Sequence, residues 1–306
     1  MPDRVHTLDL HFQNRPHTIA SYLLPHANGA ALIETGPGST TDALHAQLAE
    51  HDLTPGDITE VFVTHIHLDH AGAAGWLATE HGATVYVHHV GASHLADPAR
   101  LLNSAERIYG DDMDRLWGET LPVPEDQIIS LHDGARVNVG DRTVVALDTP
   151  GHASHHLAYI VDDICFTGDV AGVRLPGETY VEVPLVPPEL RLDHWRDSLA
   201  TLRTALPERD VTHLAPTHFG LFDDVTAHLD RLEAGLDAAD QWVHHTLPTL
   251  VDDEDQLRDA AVEWMHEHAH SQGVDEDTWA LYELADPSWM AALGLRRYWK
   301  EHVQSQ

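Results

Sequence analysis

Through the first 220 residues, short apolar runs alternate with stretches of helical periodicity. Ser21-Tyr22-Leu23-Leu24 and Ala30-Ala31-Leu32-Ile33 flank His26-Ala27-Asn28-Gly29 and read as a β-hairpin. Ser39 or Thr40 is placed to cap a helix running to about Glu50, with Leu44 and Leu48 on one face. Glu60–Thr64 reads as a buried strand, Ala71–His81 as a helix stopped by Gly82, and Thr84–His88 as another strand. Residues from about 90 to 125 read as a mostly helical insertion, with Leu101, Leu102, Ala105 and Ile108 at helical spacing before Gly110. Four short strands are expected from Ile128 to Thr167, separated by turn signals at His132-Asp133-Gly134, Val139-Gly140-Asp141 and Val161-Asp162-Asp163. An amphipathic helix over Leu190–Leu206 and a strand over Val211–Pro216 close this part.

The pattern changes after about Leu221. Val225, Leu229, Leu232 and Leu236 mark a helix of about twenty residues. A second helix runs from Asp253 to about Gln272 and ends at Gly273, and a third stretch carries Trp279, Tyr282, Trp289, Tyr298 and Trp299. The expected division is a principal domain over 1–221 and a helical extension over 222–306, whose aromatic residues pack against the principal domain.

Composition narrows the chemistry. Asp and Glu number 50 against 17 Lys and Arg, a formal charge of −33, which repels phosphate backbones and argues against nucleic-acid partners. Lys300 is the single lysine, a bias that either a GC-rich genome or adaptation to high salt produces. The single cysteine, Cys165, excludes a disulfide scaffold and a cysteine metal cluster. Histidine, the commonest metal ligand, occurs 27 times. The apolar runs are strand-sized and the first residues hold no continuous apolar segment, so a soluble cytoplasmic protein without membrane partners is expected. The oligomeric state is left open.

The histidines concentrate where a strand ends. Four candidate ligands, His65, His67, Asp69 and His70, fall within six residues directly after an apolar run. An extended His-X-His places two imidazoles on one side, because side chains alternate along a strand. Asp69 and His70 follow where the chain turns into a helix, facing a second position. Further candidates stand at later strand ends: His152 in Thr149-Pro150-Gly151-His152, Asp169 in Gly168-Asp169, and His218 in Thr217-His218. His88, His89, His155 and His156 read as supporting or surface residues. His266 and His270 have the i, i+4 spacing that can bind a metal, although a surface face is the favoured reading.

These residues, over about 5 to 220, resemble the metallo-β-lactamase fold superfamily. The resemblance implies an α/β fold, a four-layer αββα sandwich with the site at one edge, here with a C-terminal helical appendage. It implies that His65, His67 and His152 hold one metal, that Asp69, His70 and His218 hold a second, and that Asp169 bridges. The complete set looks most like the glyoxalase II, lactonase and phosphodiesterase branches. Glu34 departs from the pattern, standing where relatives have Asp, and is expected to hydrogen-bond the ligand loop. Ala171 and Gly172 stand where lactonases offer a tyrosine. Arg231, Arg258, Arg296, Arg297 and Lys300 form no pattern of a glutathione-binding domain.

The expected function is a dinuclear hydrolase of a small ester, thioester, lactone or phosphodiester, acting through a metal-bridging hydroxide. Zinc is the first expectation for the two divalent ions, with iron or manganese as alternatives. Asp69 is the expected proton acceptor, and a small molecule the expected partner. The alternative is a one-iron oxygenase resembling the persulfide dioxygenases, which use fewer of the same ligands. The insertion and the C-terminal helices are expected to wall the pocket, with Tyr109, Trp117, Trp279 and Trp289 as candidates, although helix packing is the favoured reading for Arg107, Tyr109 and Trp117 taken singly.

Overall fold

The computed structural model describes residues 5–304. The first half contains β1 (His6–Asp9), β2 (Ala20–His26), β3 (Gly29–Ile33), α1 (Thr41–Ala49), β4 (Ile58–Phe62), α2 (Leu68–Ala71), α3 (Ala74–His81) and β5 (Thr84–His88). The insertion follows as α4 (Ala92–Ala96), α5 (Ala99–Tyr109) and α6 (Met113–Trp117). Next come β6 (Ile128–Leu131), β7 (Arg136–Val139), β8 (Arg142–Asp148), β9 (Leu157–Val161), β10 (Ile164–Phe166), α7 (Leu192–Glu208) and β11 (His213–Ala215). Beyond them lie α8 (Val225–Leu250), α9 (Glu254–Ser271), α10 (Glu276–Ala285) and α11 (Trp289–Tyr298).

The strands form two sheets, ordered β1-β2-β3-β4-β5-β6 and β11-β10-β9-β8-β7. Side-chain alternation explains their stacking. On β3, Ala31 and Ile33 face the other sheet, while Ala30 and Leu32 face outward onto α1 and α3. On β9, Leu157, Tyr159 and Val161 point between the sheets, and Ala158 and Ile160 point toward α7 and α8. Strands buried on both faces require helices on both sides, and the result is an αββα sandwich with three apolar layers between its four tiers. Each fully buried Leu, Ile or Val contributes about 1.5–3 kcal/mol, so these layers dominate stability. The C-terminal helices join the outer layer of the second sheet: Leu229, Leu257, Tyr282 and Leu295 share one cluster with Ile160 and Trp195.

Several local expectations need correction. Thr40 stands at the N-cap of α1, but its hydroxyl donates to the Pro37 carbonyl at 2.9 Å and makes no capping bond. Five strands, not four, lie between Ile128 and Thr167, because the loop 149–156 breaks the chain without a Gly-Asp turn signal. Helix α8 runs 26 residues, since its apolar stripe continues through Ala239, Val243 and Leu247. Gly82 does end α3, in the left-handed region at φ 82°.

Candidate metal centre

The strands preceding the site run into it with their C-terminal ends. β4 pairs in parallel with β3 and β5, and β10 in parallel with β11, so the loops after them emerge at one edge of the sandwich. The loop after β4 delivers His65, His67, Asp69 and His70. The loop after β8 delivers His152, the turn after β10 delivers Asp169, and the segment after β11 delivers His218.

Their donor atoms form two neighbouring groups. His67 Nδ1 lies 2.9 Å from His65 Nε2 and 3.0 Å from His152 Nε2. His218 Nε2 is 3.3 Å and His70 Nε2 3.5 Å from Asp69 Oδ2. Asp169 lies between the groups, with Oδ2 at 3.3 Å from His152 Nε2 and Oδ1 at 3.3 Å from His70 Nε2. The structure thus brings together all seven residues singled out in the sequence.

The outward nitrogens are held. His65 Nδ1 meets Thr64 Oγ1 at 3.0 Å, His152 Nδ1 meets the Pro184 carbonyl at 3.1 Å, and His218 Nδ1 meets the Thr18 carbonyl at 2.6 Å. A carbonyl can only accept, so His152 and His218 both donate from Nδ1, and the neutral His152 ring thereby turns a bare Nε2 inward. Glu34 supports the ligand loop as its longer carboxylate suggested. Its Oε1 accepts the Thr64 amide at 3.2 Å, and its Oε2 lies 3.5 Å from His70 Nδ1. Gly168, at φ 51°, packs so closely that a Cβ would collide with Thr64 Oγ1, the group that steadies His65.

Electrostatics show that the site suits cations. His67 Nδ1 has two imidazole nitrogens within 3.0 Å but at most one proton to share, so lone pairs converge there. Both ring nitrogens of His70 and Asp169 Oδ1 are buried without a hydrogen-bond partner. Burial holds the His67 and His152 imidazoles at about 4, leaving them neutral and able to ligate near pH 7. Burial also opposes ionisation of Asp69, but His70 and the hydrogen bond with His218 outweigh it and hold the carboxyl at about 2. His70 is driven the other way: burial disfavours its charge, yet the carboxylates of Asp169, Asp69 and Glu34 raise its pKa well above the usual value. These clusters are able to bind metal ions, by donor chemistry and by the positive charge they attract.

A cavity of about 120 Å³ opens onto the cluster. Its walls come from the first loop (Phe12, Ile19), the insertion (Leu101, Ile108, Tyr109, Trp117), Val186 to Pro188, and, near the C-terminus, Leu284 to Pro287 with Met290. Tyr109 and Trp117 line it as well as packing against each other. Arg107, Trp279 and Trp289 do not: Trp279 faces a separate cleft with His266, and Trp289 packs against Tyr109 and beneath Arg258. Asp286 was missed. It lies in Asp286-Pro287, which in sequence reads only as the break between two helices, yet it lines the cavity. Burial, with the charges of Asp169, Glu283 and Asp69, pushes its carboxyl well above the usual range. Among the described residues no helix is long and apolar enough to cross a membrane.

Comparison with known proteins agrees with this geometry. The family model of the metallo-beta-lactamase superfamily matches residues 14–218. The metallo-beta-lactamase fold-containing protein ST1585 of Sulfurisphaera tokodaii is 32% identical over 142 residues, covering 45% of this chain and 53% of that protein. A hydroxyacylglutathione hydrolase of Shewanella sp. is 30% identical over 125 residues, covering 40% and 44%. The chain thus spans about half the length of the relatives it matches in sequence. In three dimensions the likeness extends further. The crystal structure of ST1585 superposes with a TM-score of 0.66 at 21% identity, over 96% of this chain and 98% of that one. The family protein TTHA1429 of Thermus thermophilus gives 0.65 at 22%, over 97% and 93%. These structural likenesses establish the fold, and with the family match over most of the sandwich the chain belongs to the metallo-beta-lactamase superfamily.

Proposed function

We propose that the protein is a dinuclear metal-dependent hydrolase of small, uncharged carboxylic esters that carry an apolar group. His65, His67 and His152 hold one divalent ion, Asp69, His70 and His218 a second, and Asp169 stands between them. Zinc suits so imidazole-rich a set best, and iron or manganese fit nearly as well. Ions bound there supply Lewis acidity and bring the pKa of a ligated water near neutrality. In the reaction the water oxygen bonds to the ester carbonyl carbon as the bond to the leaving oxygen breaks. The Asp69 carboxylate takes the proton that the water loses and returns it to that leaving oxygen.

The observation that carries this reading is the second group of ligands. Asp69, His70 and His218 converge beside the first three histidines, whereas a one-iron oxygenase needs only a single set. The substrate class follows from the cavity wall. Among the described residues no lysine or arginine lines it, and the one carboxyl there outside the ligand cluster, Asp286, offers an anion no positive charge. A glutathione thioester, with two carboxylates, finds no counter-ion there. An apolar acyl or alkyl group gains by burial against Leu101, Ile108 and Trp117, about fourfold in binding per methylene.

The test combines metal analysis with a substrate panel. The zinc-loaded protein is expected to hydrolyse p-nitrophenyl esters with kcat/KM rising from acetate to hexanoate, to leave S-lactoylglutathione nearly untouched, and to consume no oxygen. Stoichiometric oxygen uptake by the iron form with a persulfide, without ester hydrolysis, would replace this reading with the oxygenase.

A further inference from the structure

A second cluster of metal-ligating side chains lies on the C-terminal helices, and none of its members lines the cavity above. His266 and His270 stand one turn apart on α9, with ring centroids 4.1 Å apart. After the turn at Gly273, Glu276 opens α10 and reaches back to both. Its Oε1 lies 3.2 Å from His266 Nε2 and 3.2 Å from His270 Nε2. The His270 ring is fixed from behind, since its Nδ1 donates to the His266 carbonyl at 2.9 Å. That bond leaves the proton outward and turns Nε2 toward the carboxylate. The His266 ring is set edge-on against Trp279, 5.7 Å between centroids.

We propose that His266, His270 and Glu276 bind one zinc-class dication and so staple α9 to α10. A plain ion pair needs only one imidazole. Two rings aimed at one oxygen repel if both are protonated, whereas a shared dication satisfies all three groups. The spacing agrees: ligand bonds of about 2.0–2.1 Å in a tetrahedral shell place neighbouring donor atoms roughly 3.3 Å apart. Two imidazoles with one carboxylate select zinc or copper(II) over magnesium or calcium, which take oxygen shells. The cleft beside the cluster is lined by Asp259, Glu263 and Glu283 against the single cation Arg258, so its field favours a dication. Water completes the shell on the exposed side. The consequence reaches the cavity, because the last residues of α10, Leu284 and Ala285, and Asp286 just after them stand in its wall. Holding α10 against α9 steadies that wall. The inference does not depend on the reaction proposed for the principal site.

The test uses the full-length, untagged protein with its principal site already filled with zinc. Titration with further zinc is expected to show one additional equivalent that is lost in the double variant His266→Gln/His270→Gln. Both side chains are partly exposed, so the variant keeps its fold, and circular dichroism checks this. Glu276→Gln is expected to weaken the same equivalent about tenfold or more. Saturating zinc should raise the Tm of the parent by a few degrees and leave that of the double variant unchanged. Copper(II) gives an independent reading: it should quench fluorescence less in Trp279→Phe than in the parent. Equal zinc content in parent and double variant overturns the proposal. So does a Glu276→Gln variant with parental affinity, which would reduce the site to a histidine pair.

Discussion

The Tyr109 hydroxyl donates a hydrogen bond to Met290 Sδ at 3.2 Å, joining the insertion to the C-terminal helices across 181 positions of chain. Both residues line the cavity, and the Tyr109 ring also packs against Trp117 and Trp289. The two parts of the chain outside the sheets thus form one wall. Tyr109→Phe keeps the ring and loses only a weak bond to sulfur, so stability should fall by less than about 1 kcal/mol. Tyr109→Ala opens the wall and should cost about 2–4 kcal/mol, with kcat/KM for an apolar ester falling more than tenfold. Urea unfolding and steady-state kinetics on both variants check this. Equal kinetics for parent and Tyr109→Ala would confine the residue to packing.

The two ligand groups predict a metal count. After dialysis against a weak chelator that clears exposed sites, the protein should retain two equivalents, and His70→Ala should retain one fewer. His70 contacts both Asp69 and Asp169, so its loss empties one group and leaves His65, His67 and His152 intact. Elemental analysis decides, and unchanged metal content in His70→Ala would remove the second site.

Asp69 ties the metal count to turnover. Asp69→Asn preserves shape but removes the proton acceptor, so kcat should fall about 10²–10⁴-fold. The sandwich core does not involve Asp69, so the Tm should move little. A collapsed Tm with normal activity per folded molecule would contradict the role.

Glu34 shows what sequence could and could not reveal. The hairpin of β2 and β3, the strand before His65 and the seven candidate ligands were legible because each rests on a local signal, alternation, a turn or a strand end, and the family resemblance joined the seven into one set. Glu34 was legible as a departure, and its role followed from the reach of a longer carboxylate. Asp286 was not legible, because its importance depends on where α10 docks, a matter of packing between segments distant in sequence. The end of β8 was legible at Pro150-Gly151, but the count of strands fell one short because the turns at Gly134, Gly140 and Asp162 alone divide the segment into only four.

Glu34 also supports a quantitative expectation. Glu34→Gln keeps an oxygen for the Thr64 amide but removes the charge 3.5 Å from His70 Nδ1. Metal affinity should drop about 10–100-fold, measured by competition with a chromophoric chelator, while the fold persists. Parental affinity would show that the amide contact alone positions the loop.

Acid sensitivity should trace in part to Asp224. Its carboxylate accepts from Arg174 and Arg231. Arg174 is buried over the Phe222 ring at 4.2 Å, and its backbone amide and carbonyl bond the His218 carbonyl and the Phe219 amide. The pair therefore anchors the segment that presents His218. Partial burial raises the Asp224 pKa, but the two arginines outweigh it and hold the carboxyl at about 2, against 3.8 for an ordinary aspartate. Between those values the unfolded chain binds a proton at this position and the folded chain does not. The stabilisation is therefore fully present above about pH 4 and is lost as pH falls toward 2. Asp224→Asn leaves a buried guanidinium short of its counter-charge and should cost about 1–3 kcal/mol near neutral pH, discounted toward the lower figure because Asp224 is partly exposed. Urea unfolding of parent and variant along a pH series is the measurement. The difference between them should shrink as the pH drops from about 4 toward 2, and a constant difference would assign the effect to packing instead of charge.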